Sequence, residues 1–101
     1  MPYIKKEDRA RFEQLVSDFS ALCAAQRPNA GEMNYLITRL ILEWMGDPQT
    51  WNYEKINTVS GFMTEALAEF RRRVVGPYEN RKIEENGDVY RSNQDQPGTT
   101  P

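Results

Sequence analysis

The sequence predicts an all-α fold: a small helical bundle of three main helices, a short C-terminal helix and a disordered tail. Apolar residues recur at three- and four-residue spacing in three separate segments, and proline and glycine stand between those segments. The stretch from Arg91 to Pro101 holds no core-forming side chain. With 101 residues the chain suits one helical domain over 1–90 with a tail over 91–101. A core of that size is modest, so association with further copies is expected from the outset.

The first helix is expected from about Lys6 to Ala25. Phe12, Leu15, Val16, Phe19, Leu22 and Cys23 make its apolar stripe, and Glu7 and Asp8 sit in its first turn, where the helix dipole favours negative charge. Cys23 lies inside the stripe with no base or cation cluster beside it, so it reads as a buried small hydrophobe. Arg27-Pro28-Asn29-Ala30-Gly31 breaks the helix.

A second helix is expected from about Glu32 to Met45. Met33, Ile37, Leu40, Ile41 and Trp44 share one stripe, while Tyr35 and Leu42 fall on the opposite side. A helix apolar on two faces either lies centrally or meets another subunit, and here both are expected, with Tyr35 and Leu42 at the oligomer interface. Asn34 and Thr38, one turn apart, read as a hydrogen-bonded pair. Gly46-Asp47-Pro48 ends the helix, Trp51 is expected to fold back as an anchor, and Asn52 is placed to cap the next helix.

The third helix is expected from about Tyr53 to Val74, with Ile56, Val59, Met63, Ala66, Leu67, Phe70 and Val74 in one stripe. Gly61 interrupts it, and a close helix crossing is the natural reason for a glycine there. Gly76-Pro77 then reads as a corner, followed by a short helix through Glu85 that Asn86-Gly87 closes.

Charge is concentrated at that corner. From Arg71 to Lys82 there are five cations and one anion, in a chain of formal net charge -2. On a regular helix Arg73 flanks the stripe, Arg72 points nearly opposite it and Arg71 sits at a shoulder, so the three do not face one ligand together. Two readings stay open for the segment. Cations at a helix end complement its dipole, and Glu69 is one turn from Arg73. Alternatively Arg72, Arg73, Arg81 and Lys82 hold an anion, with Tyr78 or Tyr90 against its base and the N-H groups after the corner adding to the site. Pairing of this block with Glu84, Glu85 and Asp88 across a subunit boundary is a third possibility.

Several chemistries are excluded or disfavoured. The chain has no histidine, so histidine-based nucleophilic triads are out and the commonest nitrogen ligand for zinc is missing. No carboxylate pair is set in an apolar context, and neither catalytic residues, a metal nor a cofactor are expected. The isoelectric point near 5.2 argues against general nucleic-acid binding. One cysteine, no long apolar run and a polar N-terminal stretch point to a cytoplasmic protein with no membrane span.

PYIKKEDRARF, MNYLITRLILEW and EFRRRVVGPYENRKIEENGDVY resemble an uncharacterised family of small helical proteins of bacteriophages and bacteria, over roughly residues 1–90. In the family pattern a proline often follows the first lysine, where this chain has Lys6, and an aromatic often stands where it has Arg71. The resemblance implies a phage or prophage origin, hence the host cytoplasm, and no established activity. In size and helix content the chain is also similar to small helical oligomers with which phages trap nucleotide signals of host defence. The expected function is therefore non-enzymatic capture of a phosphorylated small molecule, a nucleotide signal, in an anti-defence role. The alternative is a protein-binding module that inhibits or adapts a host protein, and an assembly role in a virion stands third.

Overall fold

The computed structural model describes residues 2–90, all helix, turn and loop with no strand among them. The tail expected over 91–101 lies outside the described residues. Five α-helices follow in chain order: α1 Lys6–Arg9, α2 Glu13–Ala25, α3 Ala30–Met45, α4 Tyr53–Phe70 and α5 Gly76–Asn86. Two compact units divide between Thr64 and Glu65.

In the first unit, the helix expected over Lys6–Ala25 tightens into a 3-10 turn at Ala10–Phe12, which separates α1 from α2. At its start the Arg9 guanidinium reaches back and donates to the carbonyl of Ile4 at 3.0 Å. α2 ends at Gln26, whose backbone turns extended, and Pro28 two residues on prevents resumption. α3 begins two residues earlier than the apolar pattern suggests, because Asn29 and Glu32 form a reciprocal capping box. The Glu32 N-H donates to Asn29 Oδ1 at 2.8 Å, and the Asn29 N-H donates to Glu32 Oε1 at 2.9 Å. Thr38 does not pair with the Asn34 side chain; its hydroxyl donates to the Asn34 backbone carbonyl at 2.7 Å.

The link from α3 to α4 is the most densely bonded part of the unit. Gly46 takes φ 72°, the left-handed conformation that glycine adopts without strain, and its N-H closes α3 on the Leu42 carbonyl. Asp47 accepts from the Gln49 N-H and opens a 3-10 turn over Pro48–Thr50. The Trp51 indole donates to the Gly46 carbonyl at 3.1 Å, so this ring secures the loop while staying part-exposed. Asn52 caps α4 as expected, accepting from the Lys55 N-H at 2.8 Å. The Lys55 ammonium then donates to the Met45 carbonyl at 2.8 Å and to Thr50 Oγ1 at 2.9 Å, which ties the first turn of α4 to the last turn of α3.

Met45, whose carbonyl accepts from Lys55 in this link, is the one buried residue among those described, at 6% exposure. The stripes that the sequence assigns to a core stand largely in solvent: Leu15 is 59% exposed, Leu40 49% and Trp44 50%. Cys23 is half-buried rather than enclosed. Trp44 meets Phe62 edge to face at 5.5 Å between ring centres, which is the main aromatic contact between α3 and α4. Fully burying a leucine contributes about 1.5–3 kcal/mol, whereas ordering a residue's backbone costs about 1–2 kcal/mol. Stripes left half in water recover too little of that cost.

No close crossing explains Gly61. A Cβ built there meets nothing within 4 Å, and on the wheel Gly61 lies opposite the stripe. Gly61→Ala should therefore stabilise the protein by about 0.5–1 kcal/mol through helix propensity alone, read as a raised melting temperature at matched protein concentration. A lowered one would mean that another chain closes on that position.

Candidate functional site

The basic segment belongs to the second unit, where the helical backbone does not break between α4 and α5. Residues Arg71–Val75 form a π-helical turn, and the Gly76 N-H donates five residues back to the Arg71 carbonyl. Pro77 supplies the cause. In an α-helix its ring would collide with the carbonyl of Arg73, four residues earlier, and its missing N-H would leave that carbonyl unpaired. The wider turn absorbs the mismatch. Val75 and Gly76 keep right-handed helical angles, so the expected Gly76-Pro77 corner is absent. A Cβ on Gly76 would lie 3.5 Å from the Arg71 carbonyl, an ordinary contact, so this glycine marks no tight approach. With the Gly76 N-H already bonded, the anion-binding helix start expected at Pro77 falls away too.

The cations take three arrangements. Arg72 forks onto Glu69, with its Nε donating to Oε1 at 2.9 Å and an Nη of the same guanidinium bonded to that oxygen. The partner of Glu69 is thus Arg72, three residues on, instead of Arg73. Arg81 and Lys82 both lie over the Tyr78 ring, with the guanidinium carbon 5.8 Å and the ammonium 5.6 Å from its centre. Lys82 also donates to Glu85 at 3.2 Å, one turn along α5. Arg71 and Arg73 are exposed and pair with no carboxylate among the described residues.

Tyr90 sits elsewhere. Gly87 ends α5 at φ 89°, and the chain turns so that the Tyr90 N-H donates to Asp88 Oδ1 at 2.9 Å. Tyr90 and Lys82 line one open depression of about 420 Å³ together with Glu79, Ile83, Asn86 and Asp88. Of the six expected ligand contacts, Tyr78, Arg81 and Lys82 therefore share a face of α5, Lys82 and Tyr90 share the depression, and Arg72 and Arg73 stand apart. Two carboxylates beside Lys82 in the depression oppose an incoming anion. The Lys82–Glu85 pair is exposed on both sides, and such pairs contribute about 0.2–1 kcal/mol and exchange readily, so an anion competing for Lys82 displaces Glu85 at small cost. The sequence expectation sets Glu69 against Arg73 and Glu85 against the basic block of another subunit; here each glutamate bonds a cation three residues away in its own chain. Among the described residues no cluster of histidine, cysteine or carboxylate is placed to hold a metal, and no helix is long and apolar enough to cross a membrane.

A second kind of surface flanks α3 in the first unit. One apolar groove, about 420 Å³, runs between α2 and α3 and is lined by Leu15, Phe19, Leu22, Leu36, Ile37 and Leu40 with Asp18 at its edge. Another, about 350 Å³, runs between α3 and the start of α4 past Ile41, Trp44, Phe62 and Met63. Ile37 and Leu40 line both, so they form the ridge between them. On the far side of α3, Tyr35 is 62% and Leu42 42% exposed, and Arg39 donates to the Tyr35 hydroxyl at 2.7 Å with its guanidinium over the ring.

A family model described as Domain of unknown function (DUF6899) matches residues 1–89. No curated protein and no solved structure matches the chain.

The π turn gives a direct test of its cause. In Pro77→Ala a donor returns at position 77 and the turn should relax to α-helix, so the new amide becomes protected against hydrogen exchange by bonding to the Arg73 carbonyl. An unprotected amide, with the wide turn retained, would rule Pro77 out as the reason for it.

Proposed function

This chain belongs to the family described as Domain of unknown function (DUF6899), and on that premise we propose that it works by binding rather than by catalysis, with protein as what it binds. One observation carries the reading: helices with well-formed apolar stripes have a single buried residue among them. Surface of that kind is stable only when covered, and contiguous apolar faces mark protein contacts. Tyr35 with Arg39 on the outer side of α3 adds residue types that commonly anchor interfaces. If the gene is phage-borne, as the likeness to small phage and bacterial proteins suggests, a host protein is the natural target and the host cytoplasm the place of action.

The test is dilution of the purified chain followed by circular dichroism. Under this reading helicity falls as protein concentration falls, or is low throughout, because helices of this length need a covered face to persist in water. A folded monomer whose cooperative melt is the same at every concentration would overturn it.

A second reading, capture of a phosphorylated nucleotide in an anti-defence role, rests on the cluster of Tyr78, Arg81 and Lys82. A cation pair beside an aromatic ring suits a phosphate with a base attached. If it holds, calorimetric titration with linear and cyclic nucleotides gives binding that weakens as salt rises. Arg81→Ala should then reduce the affinity at least tenfold, and Glu85→Gln should raise it by releasing Lys82. Absence of binding across the panel at low salt removes this reading and leaves the first intact.

A further inference from the structure

We propose that a second copy of this chain covers the face formed by α2, α3 and the start of α4, with the ridge of Ile37 and Leu40 at the centre of the contact and Trp44 beside it. The inference rests on the protein-binding reading above and names its first partner. Three features select another copy as the occupant.

The amount of surface is right. Leu15, Val16, Leu22, Leu40 and Trp44 are each about half exposed, and Phe62 and Met63 slightly less. At on the order of 100 Å² per half-exposed large side chain, the face offers close to the ~800 Å² per partner of a specific interface. The shape is self-complementary as well. The α3 ridge is bounded by a groove on either side, and these grooves are of a size to take side chains of a like ridge. Met33, Ile37, Leu40 and Trp44 follow one another at spacings of four, three and four, the repeat that packs helices at a shallow angle. A two-fold axis near Leu40 would set each ridge into a groove of the other copy.

Charge points the same way. Asp18 at the rim is the one charged residue lining either groove. A symmetric contact thus brings no like charges together at its centre, and an acidic or basic partner would find nothing to pair with. The face must also be covered whenever the chain is folded, and copies of the chain are present wherever it is made. Self-association on this side leaves Tyr35, Arg39 and Leu42, on the opposite side of α3, open for a different protein; the interface between copies is accordingly placed on the reverse of the side suggested by Tyr35 and Leu42.

The experiment uses the full chain carrying Cys23→Ser, with a single cysteine introduced in turn at Ile37, Leu40, Ile41 and Trp44 on the inner face and at Tyr35 and Leu42 on the outer one. Each variant is treated with a short bis-maleimide and its products are separated by mass, alongside sedimentation of the Cys23→Ser parent. The expected result is a sedimenting mass of at least two chains, with covalent dimer from one or more inner positions at a yield at least tenfold above both outer ones. Because Leu40→Glu would remove the contact that sustains the fold, Leu42→Glu is the informative charge variant, and it should leave the assembled mass unchanged. Dominant cross-linking from Tyr35→Cys or Leu42→Cys, or loss of assembly in Leu42→Glu, overturns the assignment of the face. A chain that sediments as one copy and is poorly helical at every concentration overturns the second copy while the protein-binding reading stands. A well-folded single copy overturns both.

Discussion

Apolar burial is the one large favourable term available to a chain of short helices, and the arrangement here withholds it. Propensity alone leaves an isolated helix of 12–15 residues marginal in water, and α2 and α3 are 13 and 16 residues long. Capping and loop hydrogen bonds contribute about 1 kcal/mol each, enough to fix where helices begin and end but not to hold them together. What α2, α3 and α4 pack against therefore governs whether they exist at all. Their exposed stripes are the central fact about the protein, ahead of any charged residue.

Within the first unit, the exception is the link between α3 and α4. There Trp51 bonds Gly46, Gln49 bonds Asp47, and Lys55 bonds Asn52, Thr50 and the carbonyl of the buried Met45, all within a short run of chain. These are local interactions, formed at little loop-closure cost. They set the connection between two helices whose apolar sides meet at Trp44 and Phe62. The unit thus has a firm hinge-point and soft faces, which is the order in which a partner-dependent fold is best built.

Helix positions were legible because periodicity and capping are local. The Asn52 cap and the Gly46 stop follow from residue type alone, and the Asn29–Glu32 box was present in the sequence as an Asn-x-x-Glu spacing ahead of an apolar run. Burial was not legible, since an apolar stripe says that a face is to be covered and is silent on whether the cover comes from the same chain. Gly61 misleads for a related reason: a glycine in a helix suggests a close neighbour, yet here its surroundings are open. The basic segment shows a third limit. A Gly-Pro pair reads as a turn, but the backbone can instead widen by one residue and run on, and the wheel offers no warning of that. Tyr78, Arg81 and Lys82 still came together because their three- and four-residue spacing lies wholly beyond the widened turn.

That widened turn is, in effect, one surplus residue stored inside a helix. Relative to a regular helix, it rotates everything after Val75 by roughly one residue's angle, about 100° about the axis. The bearing of the Tyr78 face is therefore set by how many residues lie between Phe70 and Pro77, and not by the identity of the residues on that face. Among relatives, a single insertion or deletion in Arg71–Val75 would swing the whole cation-bearing face to a new azimuth while leaving its internal spacing intact. Length variation at this point would act as a rotary adjustment, altering which way the protein presents an unchanged set of side chains.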